Sequence, residues 1–132
     1  MELARLYTLT GKAVTEQLGK VQDGERMKIE FRGQSTTDSP VAGNAHGSTW
    51  ILVGPTGPGE TNAVQEIVTP SGERLAVELR GYATAQKGDA MEIRAAGIIR
   101  TNAASLAHLN GHVAVMVQHV AGESVTVEAY EL

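Results

Sequence analysis

Apolar and polar residues alternate along most of this chain with a period of two. The pattern is strictest from Arg26 to Thr36, where Met27, Ile29, Phe31 and Gly33 interleave with Lys28, Glu30, Arg32 and Gln34. Such alternation marks a strand with one face buried and one face wet. Leu75, Val77 and Leu79 against Arg74, Ala76, Glu78 and Arg80 predict another strand over 74–81. Further strands are expected over 2–10, 43–54, 63–69, 91–100, 112–120 and 124–132. Between them stand Asp38-Ser39-Pro40, the Gly/Pro-rich stretch Gly54 to Gly59, Pro70-Ser71-Gly72-Glu73, Gln86-Lys87-Gly88-Asp89 and Ala121-Gly122-Glu123. These are turn and loop chemistries. Ala13 to Lys20 shows no clear period and reads as a loop ended by Gly19 and Asp23-Gly24. One stretch departs from strand logic. Ala103 to Leu109 is rich in Ala and Leu, which favour a helix, and Asn110-Gly111 closes it.

Eight strands with turn signals roughly 8–14 residues apart are the pattern of an antiparallel sandwich or barrel. Short local connections favour up-and-down order. Eight strands close into a barrel just wide enough to be filled by side chains or to hold one small ligand. The expected fold is therefore all-β, an eight-stranded antiparallel barrel with one short helix near residues 103–109 that plugs or caps an end. Residues 1–132 form one domain.

Composition narrows the function classes. The apolar fraction of 42% and charged fraction of 20% suit a soluble globular chain. With one Trp, three Tyr and one Phe, the core must be built from Val, Ile, Leu and Ala. The 15 glycines imply many tight turns or bent strands. The net charge is -4 and the 11 Lys and Arg residues do not cluster, which argues against a nucleic-acid partner. No apolar run approaches the ~20 residues of a membrane-spanning helix. Met1 to Arg5 lacks the basic-then-apolar order of a signal peptide. Zero cysteines exclude disulfides, thiol nucleophiles and thiolate metal sites, and fit a cytoplasmic location.

Candidate chemistry is sparse. There is no Gly-x-Ser-x-Gly, and Gly54 to Gly59 lacks the Lys-Ser/Thr of a phosphate loop. His108 and His112 have the spacing of two ligands on one helix face, but Asn110-Gly111 intervenes, so no metal is expected. No cofactor is expected either. Cofactor-free acid–base chemistry needs a titratable group in a dry pocket with an orienting partner. The parity of Met27, Ile29 and Phe31 marks the inner face of its strand. Extended to the next strand, the inner set becomes Asn44, His46, Ser48 and Trp50, and the Val113, Val115, Val117 face includes His119. On that reading His46, Trp50 and His119 line one cavity. The competing reading makes His46 a solvated residue and Trp50 a core residue. Tyr82 ends a strand, where its hydroxyl suits the barrel mouth, and Asn110 either caps the helix or donates an amide to the cavity. Arg94 and Arg100 share a parity, as do Glu78 and Arg80, which fits an outward salt-bridged face worth little in stability.

Several segments in order resemble a known family. They are the opening Met1 to Leu9 strand, Gly33 to Pro40, Gly47-Ser48-Thr49-Trp50, Val77 to Gly81, the Arg94 to Thr101 strand, and Leu109-Asn110 after the short helix. Together they resemble the family catalogued as domain of unknown function 3237, also called uncharacterised protein family 0311. That resemblance implies a calycin-like (lipocalin-like) barrel with a cavity and a tendency to form oligomers. The chain has Thr49 where the family usually has Asp, His108 where it often has Trp, and Leu106 in place of an aromatic. The match at Arg80, Arg94 and Thr101 implies the alternative to an outward face, an inward Arg that holds a carboxylate, enolate or phenolate oxygen.

The expected function is binding of a small apolar or aromatic ligand inside the barrel. It extends to a cofactor-free isomerase, cyclase or lyase acting on a carbonyl-containing metabolite. His46 would be general base or acid, Arg94 the oxyanion partner, Tyr82 and Asn110 hydrogen-bond donors, and Trp50 an apolar wall. Arg80, Thr101 and His119 would complete the ligand contacts. The alternatives are a non-catalytic carrier with the same cavity, and a structural oligomer whose barrel is filled by its own side chains. Apolar residues on both strand faces (Ala45, Ile51, Val53; Ala96, Ile98) suit a subunit interface, so a homo-oligomer is expected.

Overall fold

The computed structural model describes residues 3–22, 24–36, 38–55, 59–84, 88 and 90–132. It contains β1 (Ala4–Val21), β2 (Gly24–Ser35), β3 (Asn44–Val53), β4 (Gly59–Val68), β5 (Arg74–Ala83) and β6 (Ala90–Thr101). A short 3₁₀ helix (Ala104–Leu109) follows, then β7 (Val113–Ala121) and β8 (Ser124–Glu131). Each strand pairs antiparallel with its sequence neighbours, and the β1–β8 ladder, from Ala4↔Glu131 to Lys12↔Ser124, closes the sheet. The architecture is the expected eight-stranded antiparallel barrel.

Alternation decides what fills it. Met27, Ile29 and Phe31 of β2 point inward, as do Leu75, Val77 and Leu79 of β5 and Val125, Val127 and Ala129 of β8. Each fully buried Ile, Leu or Val contributes about 1.5–3 kcal/mol by leaving water. The 3₁₀ helix closes one end. Leu109 is buried and Leu106 packs against the core from the same turn.

Three local expectations are corrected. Residues 13–20 are not a loop: β1 runs on to Val21 and stays paired with β2 from Ala13↔Phe31 to Val21↔Gly24. Beyond Ala13 both faces of β1 itself are exposed, so no buried face imposes a period on that stretch of sequence. β4 begins at Gly59 rather than Ala63, because the inward residue of its first turn of alternation is the polar Thr61. The helix is 3₁₀ rather than α, six residues long, with no side-chain cap and one buried anchor. The turns expected at Asp23, at 56–58 and at 85–87 with Asp89, and the strand start at Met1-Glu2, lie outside the described residues.

Closure requires β5 and β6 to approach closely. A Cβ built on Gly97 would collide with the Glu78 carbonyl oxygen across the ladder. Glycine is what lets the sheet bend there. Gly97→Ala is therefore expected to lower stability by about 1–3 kcal/mol or more. A change at the outward neighbour, Ala96→Ser, should stay within about 0.5 kcal/mol. Urea unfolding midpoints of the two variants check this.

Candidate functional site

The structure turns the expected cavity face outward. The inward residues of β3 are Ala45, Gly47, Thr49 and Ile51, whereas His46 and Trp50 face the exterior. The register shows why. Arg32 lies opposite His46 and Lys28 opposite Trp50, and opposed residues share a face of the sheet. The inward position 47 is a glycine because the Phe31 ring occupies the space a Cβ would need. A small, partly polar inner set beside an outer set holding Trp50 and Leu52 reverses the usual hydrophobic signal.

The lumen is filled by side chains and carries its own polar chain. The Tyr7 hydroxyl on β1 donates to Gln65 Oε1 on β4 at 2.8 Å. Gln65 Nε2 donates to Met116 Sδ at 2.9 Å and, at 3.4 Å, to Gln118 Oε1, both on β7. Three walls of the barrel are thereby tied together. Burial holds the Tyr7 hydroxyl far above its ordinary pKa, so it stays neutral and donates. Thr61 Oγ1 and Gln118 Nε2 are buried without a hydrogen-bond partner.

The hollows among the described residues open mainly on the outer wall and the rims. One groove of about 490 Å³ runs over β1 to β4. Trp50, 43% exposed, forms its wall with Val14 and Val64. Lys28 Nζ sits 5.2 Å from the Trp50 ring centroid, a cation–π contact. Lys12, Arg32 and His46 border the same groove as consecutive partners across β1, β2 and β3. Glu66, opposite His46 on β4, has Oε1 3.6 Å from His46 Nε2 and 2.5 Å from Arg74 Nη1. A carboxylate anchored by an arginine thus stands beside the imidazole.

The other expected site residues lie outside this groove. Arg80 lies past Trp50, in a second outer hollow of about 400 Å³ with Asn62, Ile98 and Arg100. Tyr82 is outward and 58% exposed at the rim near Glu60. Arg94 is exposed and its Nε donates to Glu92 Oε1 at 2.6 Å, which holds the Glu92 carboxyl below its ordinary range. His119 lies opposite Glu92 on the outer wall. Thr101 and Asn110 hold the helix to β6. Asn110 Oδ1 accepts from the Thr101 N–H at 2.8 Å and its Nδ2 donates to the Thr101 carbonyl at 3.1 Å. Thr101 Oγ1 donates to the Arg74 carbonyl at 2.7 Å and accepts from the Ala103 N–H. Of the expected set, His46 and Trp50 share the first groove, Arg80 lines the second hollow with Trp50 and a rim hollow with Tyr82, and Tyr82 stands opposite Arg94 across β5–β6. His112 Nδ1 is engaged by Glu131. No group of three or more metal-ligating side chains is gathered among the described residues.

Lys12, Arg32, Glu66 and Arg74 around the groove, and Tyr7, Gln65 and Gln118 in the lumen, were not anticipated from the sequence. Period-two parity does place Arg32 on the outer face. Its neighbours follow from register, which parity alone does not supply.

No family model matches the chain, and no curated protein matches it. Solved structures do. The chain has the fold of known barrels. A Clostridium acetobutylicum ATCC 824 protein of unknown function aligns with TM-score 0.83 at 19% identity, covering 100% of this chain and 99% of that one. A conserved protein of unknown function from Rhodopseudomonas palustris gives TM-score 0.82 at 17% identity, with 98% and 96% covered. A beta-barrel like protein from Acinetobacter baumannii AYE gives 0.79 at 20% identity, with 98% and 94% covered. At these identities the likeness establishes the path of the chain.

Tyr7→Phe removes the donor to Gln65 Oε1 and should cost about 1–3 kcal/mol at neutral pH. The pH dependence has a definite sign. Tyr7 has a raised folded-state pKa, so its contribution is complete below the unfolded value of 10.0 and is lost as pH rises above it. Chemical denaturation across the alkaline range should therefore show a shallower loss of stability in Tyr7→Phe than in the wild type.

Proposed function

We propose that this barrel binds a small aromatic or apolar carbonyl-bearing molecule on its outer wall, in the groove beside Trp50. The supporting observation is the placement of the single tryptophan. Its ring stands half-exposed outside the core, beside Val64 and Val14, in a hollow of about 490 Å³. Small-molecule sites are typically about 300–1,000 Å³, mostly apolar, with a few converging polar groups. His46, Glu66 and Ser48 supply the polar groups here. The order of motifs from Met1 to Asn110 also supports placing the chain in the family of domain of unknown function 3237.

A second reading makes the same groove the site of a cofactor-independent isomerase or lyase. The His46–Glu66–Arg74 chain favours it, since a base oriented by an anchored carboxylate is the arrangement acid–base catalysis uses. His46 keeps its proposed acid–base role. Arg94, paired with Glu92, is not at this groove. A structural homo-oligomer would instead cover the outer face that exposes Trp50, Val64 and Ile98.

Calorimetric titration with 2-acetonaphthone, a neutral aromatic ketone, tests the binding reading. Trp50→Ala should weaken binding roughly tenfold, the equivalent of one good aromatic contact. Met116→Leu, in the lumen, should leave it unchanged. The reverse outcome would place the ligand inside. In deuterated water, the enzymatic reading expects accelerated exchange of the ketone's methyl protons, abolished by His46→Gln with binding retained. Binding without exchange leaves a carrier.

A further inference from the structure

The row formed by Lys12, Arg32 and His46 has a surplus of positive charge. Lys12 is directly opposite Arg32 across β1–β2, and Arg32 is directly opposite His46 across β2–β3. Opposed side chains on one face start about 4.5–5.5 Å apart at Cβ, and like charges placed there are destabilising. The row does reach a carboxylate, Glu66 opposite His46, but it lies two strands away from Arg32.

The carboxylates that border the groove are committed elsewhere. Glu30 Oε1 is 2.8 Å from Lys28 Nζ. The Lys28 hydrogen bond is the largest cause holding the Glu30 carboxyl below its ordinary range, and Arg32 is the smallest. Glu66 is bound by Arg74 at 2.5 Å and stands 3.6 Å from His46, so it serves the His46 end of the row and not Lys12 or Arg32. Among the described residues neither Lys12 nor Arg32 enters an ion pair. Two permanent cations therefore face one end of a groove whose other end is the Trp50 ring.

We propose that the groove takes an amphipathic anion, an aromatic or apolar carboxylate. Its oxygens sit between Lys12 and Arg32, and its body lies along Val14 and Val64 against Trp50. This deepens the groove reading and rests on it. The dimensions agree. His46 and Trp50 are four residues apart on β3, a Cα span of about 13 Å that the two side chains shorten to the length of a bicyclic acid. Arginine supplies a planar fork for a carboxylate and lysine a mobile point charge, so together they hold both oxygens.

The test compares 2-naphthoate with 2-acetonaphthone, its neutral near-isostere, by calorimetric titration at low and at high salt. Naphthoate should bind at least tenfold tighter at low salt, with the margin shrinking as salt is raised. Lys12→Gln and Arg32→Gln should each remove most of the margin and leave acetonaphthone binding unchanged. Lys20→Gln, which removes a cation of the same sign at the far end of the β1–β2 hairpin, should preserve it. Thermal melting of Lys12→Gln and Arg32→Gln should match or exceed the wild type, because a like-charge contact is relieved. Equal affinities, or a margin that survives both row variants, would overturn the anion inference while the groove reading stands. If Trp50→Ala affects neither ligand, the groove reading itself fails.

Discussion

The β1–β8 ladder is the constraint from which the remaining structure follows. Once Ala4 to Lys12 pairs with Ser124 to Glu131, the sheet has no edge left, and every residue is committed to the inner or the outer wall. Eight strands enclose a space that side chains can fill. Here they fill it, with aliphatic residues and the Tyr7–Gln65–Gln118 chain that crosses from β1 to β4 to β7. A buried polar chain of this kind fixes which walls face one another, which aliphatic contacts alone specify weakly. A lumen filled by its own side chains offers a ligand no room inside, which is why the proposed site is on the outer wall.

The outer wall carries the features on which the proposed binding role rests. Trp50 presents a large apolar surface that would be worth more in the core than half-exposed. Beside it, cations stand opposite cations while the nearby carboxylates serve Lys28 and Arg74. Ordinary surface ion pairs contribute little to stability, and most of those on this barrel are exposed pairs of that kind. The opposed Lys12 and Arg32, which enter no ion pair among the described residues, are different, because stability alone does not favour that arrangement. Local conflicts of this sort are characteristic of functional sites.

Much of the fold was legible in the sequence. Arg26 to Thr36 and Arg74 to Gly81 announce their strands, because each packs a continuous apolar face against the core. The closed barrel follows from counting such strands and the short turns between them. Two things were not legible, for physical reasons. Residues beyond Ala13 in β1 are held by ladder hydrogen bonds with no buried face, so they carry no period. The parity of β3 was inverted by its own composition. Phe31 forces glycine at the inward position 47, Thr49 is an inward polar residue, and the one tryptophan stands outside. That inversion displaced His46 and Trp50 from the lumen to the outer wall, yet it kept them together because they share a parity. Arg80, Arg94 and His119 scattered because their register around the barrel, and not their parity, decides their neighbours. Lys12 and Arg32 were missed for the same reason, since a lysine and an arginine 20 positions apart carry no mark of being opposed.

The claim that ligand meets the outer wall and not the lumen is tested most directly by one spectrum. Protein labelled at the methionine methyls and the tryptophan indole would be titrated with 2-naphthoate and followed by nuclear magnetic resonance. Met27 and Met116 report the lumen, where both are buried, and Trp50 reports the groove. The proposed groove site predicts that the Trp50 indole signal moves while the Met27 and Met116 methyl signals stay in place. Movement of the Met116 methyl with a stationary Trp50 indole would contradict it.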